Sequence, residues 1–196
     1  VAYGFVLVGG LSTRMGRDKA LLPVGGVPMA LLQARKVEKV CGRAAFVGKD
    51  PGALAAFGYP FVRDGTAERA ALHGLLAALE WCPVEHTVVL AADVPCVPAE
   101  LLAALLTTLE ATGVSAVVPT DAGMPQPLCA AWSKGALRPL RLAVSAGDLS
   151  LRRAVEAARA VVLSEGETAL LPGFVAGAFR NVNTPEDCRA VEEETP

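Results

Sequence analysis

Short apolar runs alternate along this chain with longer segments whose apolar residues recur once per helical turn. Runs rich in Val, Ala and Leu predict strands at Tyr3–Val8, Ala44–Gly48, Pro60–Arg63, Thr87–Ala92, Val114–Pro119, Pro127–Trp132 and Ala160–Leu163. Most lack polar alternation, as suits strands buried on both faces. Leu101, Leu102, Leu105, Leu106 and Leu109 form one stripe and predict a helix over Pro98–Thr112, with Pro98 in its first turn and Gly113 as its stop. Leu151, Ala154, Val155 and Ala158 predict another over Leu151–Ala160, capped by Ser150. Thr184-Pro185-Glu186-Asp187 reads as a third start, with Thr as cap, Pro at the first helical position and acids beside the positive end of the helix dipole. Alternation of this kind predicts an α/β fold with a mostly parallel sheet covered on both faces. In such sheets ligands sit at the carboxyl ends of the strands, so the loops that follow strands are where chemistry is sought.

Composition narrows the classes. A chain of 196 residues suits one domain, expected over 1–196. Hydrophobic residues make up 53% and mean hydropathy is +0.42, but charge, Gly or Pro breaks every apolar stretch well short of the ~20 residues a membrane span needs. Val1–Val8 is apolar without a preceding basic segment and is not read as a signal peptide, so a cytoplasmic protein without membrane attachment is expected. A net charge of -2 and a pI near 5.7 leave no broad basic surface for nucleic acid. The five cysteines are odd in number, widely spaced and contain no CxxC pair, which argues against a disulfide framework or a zinc site.

Four loops after strands carry candidate chemistry. In "VLVGGLSTRMGRDKALL", Gly9 and Gly10 end a strand, and Arg14, Arg17 and Lys19 fall within six residues. The glycines can bring backbone N–H groups up to phosphate oxygens, Arg14 offers a fork of donors, and Lys19 a compact charge. Neither the Walker A pattern nor GxGxxG is present, and the plain alternative is a turn with solvated charges. Asp64 follows "YPFVR" and can hold a base or ribose, although such a residue alone is more often a cap or turn former. Asp93, in "TVVLAADVPCVP", places a hard oxygen ligand at the sheet edge, fit for Mg2+ that also carries substrate phosphates; the alternative is a cap beside Pro95. In "FRNVNTPED", Asn181 and Asn183 flank Val182 and point to one side if the segment is extended, whether to hold metal, phosphate or a polar ring or to cap the last helix.

Together "LVGGLSTRMGRDKALL", "AADVP", "QPLCAAW" and "NVNTPED" resemble the molybdenum cofactor guanylyltransferases, over essentially the whole chain and in matching order. The resemblance implies a nucleotidyltransferase fold of the glycosyltransferase-A type, a Rossmann-like three-layer sandwich. It implies transfer of GMP from GTP to the terminal phosphate of the molybdopterin cofactor, with release of pyrophosphate. Carried over, Leu7, Val8 and Gly9 contact the nucleotide through backbone groups, Lys19 its phosphates, Asp64 the guanosine and Asp93 a magnesium ion, with Asn181 and Asn183 near the acceptor or metal. Cofactor-supplying proteins and recipient molybdoenzymes are the protein partners the family implies. Two departures stand out: Ala70-Ala71-Leu72-His73-Gly74 replaces the usual Gly-Pro-Leu-Ala-Gly, and Gly48-Lys49 stands where relatives place a base-contacting Asn.

The implied chemistry agrees with the residue inventory. A phosphate acceptor is already an anionic nucleophile, so positioning and charge neutralisation by Arg14, Lys19 and Mg2+ on Asp93 dominate, and neither His73 nor His86 is needed as a base. Cytidylyl or sugar-phosphate nucleotidyl transfer by the same loops, and a module that binds GTP without turnover, stay open at this point.

Overall fold

The computed structural model describes residues 1–9, 19–66, 68 and 70–194. Its strands are β1 (Ala2–Leu7), β2 (Pro23–Val24), β3 (Val27–Pro28), β4 (Ala44–Gly48), β5 (Phe61–Arg63), β6 (His86–Ala91), β7 (Ala116–Val118), β8 (Thr120–Asp121), β9 (Met124–Pro125), β10 (Cys129–Ser133) and β11 (Val161–Val162). The helices are α1 (Met29–Cys41), α2 (Ala71–Trp81), α3 (Ala99–Thr112), α4 (Leu137–Ser145), α5 (Leu151–Ala157), α6 (Glu165–Ala169) and α7 (Pro185–Glu194). Seven strands form one sheet in the order β11-β7-β10-β6-β1-β4-β5, and only β10 runs antiparallel to its neighbours. The seven strands of this sheet are the seven predicted, each displaced by no more than two residues at either end.

Strand alternation divides the core into two layers. Val6 and Val8 of the first strand and its extension pack with Ala30, Ala34 and Val37 of α1 and Leu101, Leu102 and Leu106 of α3. Tyr3, Phe5 and Leu7 point the other way, onto Leu72, Leu75 and Leu79 of α2, Leu140 of α4, and Ala154 and Val155 of α5. Burying each such Val, Leu or Phe contributes about 2 kcal/mol, so both faces reward the same parallel stacking.

Three details depart from expectation. Pro98 lies just outside α3, in an extended conformation (φ −73°, ψ 149°), because its ring suits the entry to the helix and its carbonyl still accepts from the Leu102 N–H at 3.4 Å. The fifth helix stops at Ala157 because Arg159 adopts φ 52°, a left-handed conformation that cannot continue a helix. The last sheet strand is not buried on both faces: as an edge strand it leaves Val161 38% and Val162 41% exposed. Gly113 stops α3 in the left-handed region, and Ser150 caps α5 by accepting from the Arg153 N–H, as expected.

Two glycines permit unusually close packing. A Cβ on Gly4 would lie 2.6 Å from the Val37 Cβ, so β1 and α1 touch through the missing side chain. A Cβ on Gly48 would lie 2.2 Å from the Val8 carbonyl oxygen. Because Val8 also donates to the Val47 carbonyl at 2.9 Å, Gly48→Ala must displace the backbone just where β1 leaves the sheet. The expected result is a loss of about 1–3 kcal/mol in urea unfolding, with Gly42→Ala, which meets nothing within 4 Å but has φ 76°, as the control for purely local backbone strain.

Candidate functional site

Strands β1, β4, β5 and β6 are parallel neighbours, so the residues after Leu7, Gly48, Arg63 and Ala91 emerge at one edge of the sheet. The Ala92 N–H donates to the Leu7 carbonyl at 3.1 Å, which continues the β1–β6 ladder one residue further and sets Asp93 beside the end of β1. Val8 is buried and Gly9 exposed at that end. Gly10, Arg14 and Arg17 lie outside the described residues, and the description resumes at Lys19, the first residue of a short 3-10 turn to Leu21.

There three of the expected residues meet. The Lys19 Nζ donates to Asp93 Oδ2 at 2.6 Å and to Asn183 Oδ1 at 3.1 Å, joining residues 74 and 164 positions away along the chain. The Lys19 and Asp93 side chains are 20% and 22% exposed, so solvent still screens them and the pair contributes on the order of 1 kcal/mol or less to stability. Its significance is geometric: an ammonium ion held between a carboxylate and an amide oxygen marks a place built for positive charge.

The closing segment is fixed from both ends. The Val182 N–H donates to the Asp93 carbonyl at 2.7 Å, and buried Val182 separates exposed Asn181 from exposed Asn183. Thr184 caps α7 by accepting from the Asp187 N–H at 3.1 Å, while Asp187 Oδ2 accepts from the N–H groups of Asn183 and Thr184, both at 2.9 Å. The Asn183 N–H first, then the Thr184 hydroxyl and N–H, hold the Asp187 carboxyl below its usual range. Capping and site-building coexist here: Asn183 gives its backbone to the helix start and its side chain to Lys19.

Asp64 stands apart from this cluster. Its side chain is 8% exposed, and its Oδ1 accepts from Lys49 Nζ at 2.8 Å. The same ammonium donates to the Thr66 carbonyl, the Thr66 hydroxyl and the Glu68 carbonyl at 2.6, 3.0 and 2.6 Å. Lys49 therefore organises the loop after β5 around itself.

The sequence of residues 4–163 matches the MobA-like NTP transferase domain. The chain belongs to this family. A molybdenum cofactor guanylyltransferase from Cupriavidus taiwanensis is 31% identical over 198 residues, covering 96% of this chain and 95% of that one. Another, from Rhizobium meliloti, is 32% identical over 203 residues, with 97% and 90% covered. Among solved structures, molybdopterin-guanine dinucleotide biosynthesis protein A from Archaeoglobus fulgidus superposes with a TM-score of 0.78 at 26% identity, covering 98% of this chain and 97% of that chain. The 2-C-methyl-D-erythritol 4-phosphate cytidylyltransferase from Thermus thermophilus, at TM-score 0.67 and 16% identity over 97% and 96% of the two chains, shares the fold. This MobA-like chain is thus a nucleotidyltransferase with the mostly parallel α/β sheet read from its sequence.

In this MobA-like transferase the motif reading missed the supports of the site. Gln33 is fully buried on α1 and donates to the Val94 carbonyl at 2.7 Å and the Ala91 carbonyl at 3.3 Å. Lys36, one turn on, donates to the Pro95 carbonyl. One signal was present: Gln33 is a polar residue on a stripe otherwise made of Met29, Ala30, Ala34 and Val37. Lys49 also had a signal, since it directly follows a strand end.

Burial lowers the pKa of Lys36 to about 8, with Cys96 and Glu100 nearby working in the opposite direction. In the unfolded chain a lysine titrates near 10.4. Between these values the unfolded state binds the extra proton, so the contribution of Lys36 to stability rises with pH from about 8 upward and levels off above the unfolded pKa. Lys36→Met is expected to abolish that rise in a pH series of urea unfolding; an unchanged series would place the titration elsewhere.

Proposed function

We propose that this chain transfers GMP from GTP to the terminal phosphate of the molybdopterin cofactor, releasing pyrophosphate and leaving the guanine dinucleotide form. The observation that carries the reading is the meeting of Lys19, Asp93 and Asn183 beside the end of β1 in a chain whose full-length relatives bear the guanylyltransferase name. A single nucleotidyltransferase domain over 1–196, acting in the cytoplasm, is part of the proposal. Among the described residues no helix is long and apolar enough to cross a membrane.

The donor set fits a magnesium ion. Asp93 and Asn183 present hard oxygens that already hold a cation, the Lys19 ammonium. No group of three or more His, Cys, Asp and Glu that could cage a metal occurs among the described residues. Mg2+ is commonly held by one or two carboxylates with substrate phosphates and water completing its shell, so Asp93, with Asn183 beside it, would hold it here. When bound, Mg2+ would neutralise charge on the triphosphate.

The chain's own groups do the remaining work. Leu7, Val8, Gly9 and Gly10 offer backbone contacts to the nucleotide, and Asp64, oriented by Lys49, receives the guanosine portion. Lys19 and Arg14 share the charge of the phosphates, while Asn181 and Asn183 flank the acceptor. An oxygen of the acceptor phosphate bonds to the α phosphorus as the bond from that phosphorus to the bridging oxygen breaks, and the electron pair departs with pyrophosphate. The acceptor is already anionic, so no protein base is required.

Pyrophosphate release with Mg2+ and molybdopterin cofactor, measured with GTP and with CTP in parallel, tests this directly. Acceptor-dependent release with GTP is expected; release with CTP alone overturns the base assignment, and silence with both, given active acceptor, supports a binding module. Asp93→Ala should lower kcat by about 10³-fold with the fold intact. Lys19→Ala should weaken GTP binding by about 10–100-fold in calorimetry.

A further inference from the structure

The loop that presents Asp93 is gripped by its carbonyl groups. The Val182 N–H takes the carbonyl of Asp93, Gln33 those of Ala91 and Val94, and Lys36 that of Pro95. Three of these four grips come from a single helix face, because positions 33 and 36 are three residues apart on α1. The Gln33 side chain is an expensive way to fill core space. Its oxygen, Oε1, is buried without a hydrogen-bond partner, and it is the one such side-chain atom among the described residues. An apolar side chain of similar volume would pack among Met29, Ala30, Ala34 and Val37 without that orphaned acceptor. What Gln33 alone adds is a donor to the carbonyls on either side of Ala92 and Asp93.

We propose that Gln33 and Lys36 are positioning residues for nucleotidyl transfer: a brace on α1 that holds the 91–95 loop so that the Asp93 carboxylate faces Lys19, Asn183 and the incoming metal-bound triphosphate. The inference rests on the role of Asp93 proposed above. The brace touches neither nucleotide nor metal and acts through the backbone on each side of Asp93. Loosening it lets the carboxylate sample directions in which it misses the cation, while Asp64, proposed above for the guanosine and lying after β5 across β1 and β4, is left alone. Outer supports of this kind commonly change metal affinity or activity by about 10–100-fold.

The test compares Gln33→Met, Lys36→Met, Lys36→Arg and Asp93→Asn in the full chain. Each is read by thermal unfolding, by kcat and KM for GTP, and by the affinity of Mn2+ for the complex with a non-hydrolysable GTP analogue, followed by electron paramagnetic resonance. Gln33→Met and Lys36→Met are expected to lower kcat and Mn2+ affinity by about 10–100-fold, with KM for GTP within about threefold of the parent. Lys36→Arg, which keeps a donor, should recover most of the loss. Native kcat and Mn2+ affinity in both Met variants, alongside a deficient Asp93→Asn, would overturn the brace and leave the role of Asp93 standing. Native Mn2+ affinity in Asp93→Asn would overturn the role of Asp93 itself, and with it the brace. If Gln33→Met does not fold, the Lys36 pair decides: equal losses in Met and Arg that track a fall in thermal stability would show a merely structural lysine.

Discussion

The hydrogen bond from the Ala92 N–H to the Leu7 carbonyl, 3.1 Å long, lies one step beyond the regular β1–β6 pairing, and the candidate site is arranged around that extra step. Because the central strand pairs in parallel with β4 on one side and β6 on the other, three chain segments leave the sheet side by side. Val8 is held against Val47 and under Gly48; Ala92 is held against Leu7. Asp93 therefore starts at the sheet edge beside β1, where its carboxylate meets Lys19 although 74 residues separate them. The far end of the chain joins by the same means, since a single backbone bond from Val182 to Asp93 carries Asn183 to the lysine.

The two flanks of the site are held differently. On the Asp93 flank, carbonyls are taken by groups from α1 and from the segment before α7, so the loop is fixed by its backbone and its carboxylate is left to meet Lys19. On the Asp64 flank, one lysine ammonium gathers a carboxylate, a hydroxyl and two carbonyls. A charged donor at the hub of four acceptors orients Asp64 firmly, but it also engages one of the oxygens through which Asp64 would meet a ligand. The flank proposed to receive the phosphates is therefore held through its backbone carbonyls by an amide, a backbone N–H and the Lys36 amine, and the flank proposed to receive the guanosine is gathered around one lysine.

The fold itself does not choose the nucleotide. The Thermus thermophilus cytidylyltransferase shares it at 16% identity, as expected of an architecture that presents strand-end loops to many ligands. Family membership comes instead from similarity along the sequence, with relatives above 30% identity over nearly the whole chain. The two departures from the family pattern fall on the Asp64 flank, at Lys49, and at the entry to α2, while Lys19, Asp93 and Asn183 meet as a group.

Much of this was legible in the sequence because it follows from local chemistry. Buried strands must be apolar, and even the exposed edge strand β11 is a pair of valines, so all seven strands of the main sheet announced themselves, and the Leu101–Leu109 stripe could only be one helix face. Asp93 comes two residues after β6 and had to reach the carboxyl edge; Lys19, twelve residues past β1, and Asn183, which follows α6 and a stretch of turns rather than a strand as expected, were legible only from the basic loop and the Asn-Val-Asn run. What the tertiary structure decided is everything that depends on contacts between distant segments. Position in sequence alone could not show that Asp64 is engaged by Lys49, that β10 enters the sheet antiparallel, or that Gln33 grips the loop around Asp93. A polar side chain on an apolar stripe signals that some partner exists, but which carbonyls it meets is set only when helix and sheet pack and those groups lose their water.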